Sequence, residues 1–368
     1  MSSATHPPSL LSPIRLQQAK KSTWLVRGTI RNDSNFNLLS SAPYTKPFPS
    51  FTTIQTRRPT SNRAPPFPIA SAPPSSSKRR RRFTQAPAMS SPIDISALSK
   101  DSSSEYEAKI ISILSNAINE LPPTELSAET TAGEIDKLYP SDVSAAEGFL
   151  WSFWTLLVAV AKKIPADDPR QQLLVTTVAK LKSKRDQEVE MWGQKTRVWS
   201  ELPMLGPVMR DEWNCSVVVV SPDFDGSEKD NATIQEWISL NSFAARIYGA
   251  SLQPWVNLGI WELRSGLEEA PEDRPNAKDT RIATAYEWIV HAGKELYANG
   301  RQAQQLDAME QRALKPGSLL KIEASGLSND RWSFWRERIG VLGAGAGSGV
   351  AKEKAQKALE TMKEIEGS

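Results

Sequence analysis

From residue 105 onward, apolar residues recur every three or four positions, the period of an amphipathic α-helix. Tyr106, Ile110, Ile113, Leu114, Ala117 and Leu121 share one face, and Pro122-Pro123 stops that helix. Thr124 or Ser127 is suited to cap a second, short helix ending near Tyr139-Pro140. Residues 141–164 form the next, with Phe149, Leu150, Phe153, Trp154, Leu157, Val160 and Ile164 on one side and Trp151, Leu156 and Val158 on the others. A helix apolar all round is expected at the centre of its bundle. Its apolar run, residues 149–161, is bracketed by Glu147 and Lys162-Lys163 and falls short of the roughly 20 residues that span a bilayer.

Asp167 or Asp168, followed by Pro169, predicts the start of a helix through Leu173, Leu174, Val178 and Leu181. That helix is expected to run into a polar stretch reaching Met191, Trp192 and Trp199. Residues 207–220 are ambiguous. Cys215 to Val220 is β-branched enough for a strand, whereas Met209, Trp213, Val217 and Val220 fit a helix opened by Pro207. No partner strand is evident nearby, so a helix is expected. Four further helical patterns follow: Ile234, Trp237, Ile238, Ala245, Tyr248; then Val256, Ile260, Leu263, Leu267; then Ile282, Ala285, Tyr286, Ile289, Gly293, Leu296, Tyr297; and Trp332, Trp335, Ile339, Leu342. A short helix fits 302–314. A glycine-rich linker, 340–349, leads to a charged and mobile terminal helix whose weak apolar side is Val350, Leu359, Met362 and Ile365.

Composition changes this picture at one place. Residues 1–93 hold 14 prolines, 16 serines and 14 Lys and Arg against the single acid Asp33, a net +13. The whole chain has 45 basic and 42 acidic residues, so residues 94–368 carry 31 against 41, a net −10. Nucleic-acid binding is therefore not expected of the folded part, whatever the basic average suggests. The leader reads as disordered. It is a mitochondrial presequence, a carrier of the Lys78-Arg79-Arg80-Arg81-Arg82 nuclear signal, or an upstream extension of a chain that starts at Met89.

The expected organisation is thus a leader over 1–93, one irregular all-α multi-helix domain over 100–342, and the linker with its terminal helix over 343–368. Eleven of the twelve tryptophans lie between Trp151 and Trp335, and they account for a substantial core. Trp-Ser-Phe-Trp occurs at 151–154 and again at 332–335 with no similarity around it, so it is one packing arrangement used twice rather than a repeat. Cys215 is the sole cysteine, which excludes an intramolecular disulfide and fits a reducing compartment.

Candidate chemistry is sparse. Glu287, His291 and Glu295 are spaced to share a helix face, suitable for proton transfer or one face of a metal site, but a solvated charged face is the expected reading. One histidine and one cysteine in the folded part do not make a metal site. Gly-Ala-Gly-Ala-Gly-Ser-Gly at 343–349 lacks the Lys and the preceding strand of a phosphate loop. Asn241 interrupts the apolar stripe of its helix, and Arg246, Glu262 and Arg264 are placed to join it in a buried network that fixes helix register, or in a polar anchor within an aromatic pocket. No catalytic residue, metal ligand or cofactor is expected, and no binding residue is assigned.

Taken in order, five segments resemble a fungal family of uncharacterised all-helical proteins, a domain of unknown function. They are Leu-Pro-Met-Leu-Gly-Pro-Val-Met-Arg-Asp-Glu-Trp-Asn at 202–214, Trp-Ile-Ser-Leu-Asn-Ser-Phe-Ala-Ala-Arg at 237–246, Ile-Trp-Glu-Leu-Arg at 260–264, Trp-Ile-Val-His-Ala-Gly at 288–293 and Arg-Trp-Ser-Phe-Trp-Arg at 331–336. The resemblance spans 105–342 and implies an intracellular helical protein. It implies no activity, cofactor or site. The expected function is a non-catalytic protein-interaction or scaffold domain with an unidentified protein partner and no membrane. The alternative is a small-molecule binder or enzyme with an aromatic pocket near Trp237, Asn241 and Trp261. The expected setting is the cytoplasm or nucleus, or the mitochondrial matrix if the leader is a presequence.

Overall fold

The computed structural model describes residues 91–101, 104–120, 122–215, 227–272 and 276–368. The leader up to residue 90, with its basic cluster and Met89, lies outside them, as do Leu121 and the 216–220 part of the ambiguous segment.

Helices dominate. In chain order they are α1 (Glu105–Asn119), α2 (Glu125–Leu138), α3 (Ala146–Lys163), α4 (Pro169–Leu181), α5 (Leu205–Cys215), α6 (Glu228–Gly249), α7 (Val256–Leu263), α8 (Ala277–Gly300), α9 (Ala308–Ala313), α10 (Asn329–Ala344) and α11 (Gly349–Glu366). The local signals act as expected. The Thr124 hydroxyl accepts the Ser127 amide at the start of α2, and the Asp168 carboxylate accepts the Arg170 amide with Pro169 in the first turn of α4. The fold is all-α, as the periodicity predicts.

The α3 helix packs against α1, α5 and α6, and Phe149, Leu150, Phe153, Trp154, Leu157 and Val160 are all buried. With the 3-10 turn before it, Val143–Lys163 is the one described segment long and apolar enough to cross a membrane. Its buried face is spent on helix packing within the same core. At the end of α3 the Ile164 amide donates to the Ala161 carbonyl at 3.3 Å, which leaves acceptor capacity there and on the Ile164 carbonyl. Gln171 from α4 reaches back, and its Nε2 donates to the carbonyls of Ala161 and Ile164, each at 2.8 Å.

Two features depart from the periodicity. The polar stretch after α4 is not helical. It is a hairpin, β1 (Glu188–Met191) against β2 (Gln194–Arg197), with Glu188 opposite Arg197 and Met191 opposite Gln194. Val189 and Met191 point inward and Glu188 and Glu190 outward, a period of two within a window too short to stand out. Trp192 and Gly193 both take positive φ, 53° and 75°, as a two-residue turn matched to strand twist requires.

The second departure is at the C-terminus. The α10 helix continues through Ala344, so the expected linker shrinks to residues 345–348. The α11 helix is not a mobile appendage: Ala351, Ala355, Ala358, Met362 and Ile365 are buried in the same core as α3 and α8. Of the expected apolar side, Met362 and Ile365 are buried and Leu359 packs against the core, whereas Val350 is exposed; a row of small alanines completes the seam. Small side chains permit close approach. A Cβ on Gly343 of α10 would stand 2.5 Å from that of Ala355, and one on Gly293 of α8 would stand 2.8 Å from Ile365 Cδ1.

Candidate functional site

The polar and charged residues with candidate chemistry sit at four places in the fold. Asn241 lies on the inner face of α6, fully buried. Its Nδ2 donates to the Trp237 carbonyl at 3.0 Å, and its Oδ1 accepts from Trp288 Nε1 on α8 at 2.8 Å. The rings of Trp237 and Trp288 both lie edge-on to Trp213, at 4.9 and 6.5 Å between centroids. None of the three expected partners bonds to Asn241. Arg246 turns to Ser242, Gln172 and the Ala166 carbonyl, and Arg264 turns to the carbonyls of Ala313 and Lys315. A polar side chain on an apolar stripe is found by its nearest buried donor, here an indole 47 positions away.

The second place is the Glu287–His291 face of α8. It is not a solvated charged face. Glu287 is fully buried, with Lys354 Nζ of α11 3.0 Å from Oε1 and His291 Nε2 3.3 Å from Oε2. Lys354 also meets Asp167 at 3.1 Å and lies 4.3 Å from the centre of the Tyr286 ring. Burial pushes the Glu287 carboxyl up. The His291 contact and the Lys354 charge outweigh it and hold the group below the ordinary carboxylate range. Burial likewise pulls Lys354 down, and Glu287 and Asp167 together raise it above the ordinary lysine value. Glu295 stands apart, half-buried. The cluster docks the terminal helix; both charges are engaged in doing so.

The third place was not singled out by sequence. The α7 helix ends in a π-helical turn, Arg264–Glu268, and Glu268 meets Arg331 of α10 with both side chains fully buried. Arg331 Nε and Trp335 Nε1 donate to Glu268 Oε1, each at 2.6 Å, while Arg331 Nη2 and the Gly317 amide donate to Oε2 at 3.0 and 2.7 Å. Arg331 Nη1 donates to the carbonyls of Leu314 and Gly326 at 2.8 and 2.7 Å. Each Glu268 carboxylate oxygen accepts two hydrogen bonds, and the guanidinium gives its remaining donors to carbonyls of the 314–326 loop. A Cβ on Gly317 would stand 2.6 Å from Glu268 Cβ, so only glycine fits there. The available signal was Arg331 itself, spaced with Trp335, Ile339 and Leu342 on the inward face of α10.

The fourth is Glu262 of α7. It is buried, its nearest cation is Arg281 at 3.8 Å, and Arg281 pairs more closely with Glu272 at 2.6 Å. Burial pushes the Glu262 carboxyl up to about 7, against the opposing pull of Arg281, the Trp213 indole and Arg264.

The glycine-rich segment offers no anion cradle. The amides of Gly347 and Ser348 donate to the Asp279 carboxylate at 2.9 and 2.8 Å, so a side chain of α8 already occupies the start of α11. Among the described residues, no group of three or more His, Cys, Asp or Glu is placed to hold a metal. On the outer face of α10, by contrast, Phe334, Glu337, Arg338 and Val341 join Leu319 of the 314–326 loop around an open cleft of about 220 Å³. Val341 is 57% exposed and Leu319 38%.

Residues 154–339 match the model of a family described as a protein of unknown function, DUF3632, and the chain belongs to that family. The match takes in α4 to α9, the Asn241, Glu287, Glu262 and Glu268–Arg331 sites and most of α10, but not α11. No curated protein and no solved structure matches the chain.

Proposed function

We propose that this is a non-catalytic, intracellular protein-interaction or scaffold domain. One contrast carries the reading. Three of the buried polar sites of the family region are used inside the fold, with Asn241, Glu287 and the Glu268–Arg331 pair bonded to neighbouring helices, whereas apolar side chains of α10 and its adjoining loop face solvent around a cleft. Groups committed to internal bonding are poor general acids or bases, and an exposed apolar cleft is what a protein partner covers. The single cysteine supports an intracellular setting. The fungal assignment rests on the resemblance of the quoted segments.

The test is comparative. The full chain, a Val341→Asp variant and a Glu129→Gln control on α2 are used to capture partners, and each candidate is then re-bound as a purified protein. A partner that binds the parent and the control but not Val341→Asp supports the reading. Failure of every purified candidate to bind the parent counts against it.

A second reading, small-molecule binding between helices, is favoured by Glu262 alone, whose buried carboxyl lacks a close cation. Asn241 and Trp261 do not favour it, since Asn241 is bonded to Trp288 and the Trp261 indole donates to the Ala313 carbonyl at 3.0 Å.

A further inference from the structure

The α10 helix has two faces with opposite fates. Arg331, Trp332, Trp335, Ile339 and Leu342 point into the core, whereas Glu337 and Val341 are exposed and Phe334 and Arg338, half-buried, complete the cleft lining at helical spacing, Phe334 also resting against the core. Leu319 closes the outer face from one side, and its loop is held in place by the Gly317 amide on Glu268. The cleft is therefore built on a fixed wall.

Its charges are not balanced internally. Arg336, two residues before Arg338, pairs with Glu366, and Arg331 pairs with Glu268. Arg338 has no carboxylate within ion-pair distance among the described residues, and its Nε is buried without a hydrogen-bond partner. Arg338 as a whole is half-buried, so an incoming carboxylate would meet the guanidinium at atoms other than that sealed Nε. Glu337 is exposed at the rim. The cleft thus offers an apolar floor, an unanswered cation set into it and an acid outside. Its volume is below the 300–1,000 Å³ usual for drug-sized ligands and suits the anchoring of one bulky side chain of a peptide.

We propose that this cleft receives a short amphipathic segment of a partner protein, with an apolar anchor over Phe334, Leu319 and Val341 and an Asp or Glu carboxylate on Arg338. The proposal rests on the interaction reading above and names the chemistry of the partner. A guanidinium–carboxylate pair supplies direction, and the apolar anchor supplies most of the buried area.

The experiment is selection of random short peptides displayed on phage against the immobilised full chain, followed by anisotropy titration of the winners. The expected winners carry Asp or Glu three or four positions from Leu, Ile or Phe. Arg338→Gln weakens them by roughly tenfold or more, the worth of one charged hydrogen bond, and Val341→Asp does so comparably. Glu337→Gln tightens them a few-fold, because it removes a like charge from the rim. Glu337 and Val341 are exposed and Arg338 is half-buried, so unchanged circular dichroism and melting midpoint are required of each variant to confirm folding. Winners without acids, or winners weakened by Val341→Asp but indifferent to Arg338→Gln, overturn the acidic segment and leave the interaction reading standing; winners indifferent to both variants overturn the cleft and the interaction reading with it. If no peptide is selected at any face, both fail.

Discussion

Trp-Ser-Phe-Trp appears once in α3 and once in α10, and the two copies are packed differently. In α3, Phe153 is fully buried, edge-on to Trp199 at 5.8 Å, and the Trp154 indole donates to the Pro203 carbonyl at 2.8 Å. In α10 the same third position, Phe334, lines an open cleft, and the fourth, Trp335, donates to the Glu268 carboxylate at 2.6 Å. The first tryptophans also differ: Trp151 is half-buried, whereas Trp332 is buried and donates to Glu366 of α11 at 2.9 Å. One tetrapeptide thus serves an aromatic centre in one helix and, in the other, a buried ion pair backed by a half-open cleft. Spacing decides which side chains share a face; the neighbours decide what that face is for.

The contrast is sharpest where it predicts unequal costs. Removing one partner of the buried pair, as in Glu268→Ala, leaves Arg331 uncompensated and is expected to cost about 3–5 kcal/mol in urea unfolding. Phe153→Ala should cost about as much by cavity formation, while Phe334→Ala should cost only about 1 kcal/mol. Equal losses at the two phenylalanines would erase the distinction drawn between the copies. Asn241→Leu comes next, at about 1–3 kcal/mol, because the Trp288 N–H is left buried without an acceptor.

Glu262 sharpens the picture through pH. Its folded pKa, about 7, lies above the ordinary 4.5, so the folded state holds a proton that the unfolded chain releases between those values. This contribution is fully present below pH 4.5 and falls away as pH rises toward 7, by roughly 3 kcal/mol across the window. Glu262→Gln should flatten that part of a stability–pH profile and leave the variant more stable than the parent above pH 7. A parent profile already flat from pH 5 to 7 would contradict the burial. The smallest effect is at the hairpin tip, where Trp192→Asn should gain about 0.5 kcal/mol by relieving positive φ.

Much of the fold was legible. Thr124 and Asp168-Pro169 announced α2 and α4 because caps are local, and the apolar surround of α3 announced its burial. The hairpin escaped because Glu-Val-Glu-Met alternates for only four residues, and its Trp-Gly turn lacks the usual asparagine. The site residues were legible only in part. Asn241 was visible as a polar break in a stripe, but its Trp288 partner lies on another helix, and nothing in one sequence pairs them. Glu268 and Arg331 are 63 positions apart, so their bond is set by how α7 and α10 pack. The docking of α11 was legible at Leu359, Met362 and Ile365 but its strength was hidden by alanines, which read as weakly apolar yet allow close helix approach.

The Glu268–Arg331 pair has a dynamic consequence. The stretch from residue 314 to 326 has no helix or strand of its own, and such loops ordinarily open locally at little cost. Here the amides of Gly317 and Gly326 are bonded to Glu268 and to the Leu314 carbonyl, and the Leu314 and Gly326 carbonyls are held by Arg331. Peeling the loop away would strip partners from a buried ion pair. Hydrogen exchange at these two glycines should therefore follow the cooperative unfolding of the whole core, and an irregular surface loop becomes one of its slowest-exchanging parts.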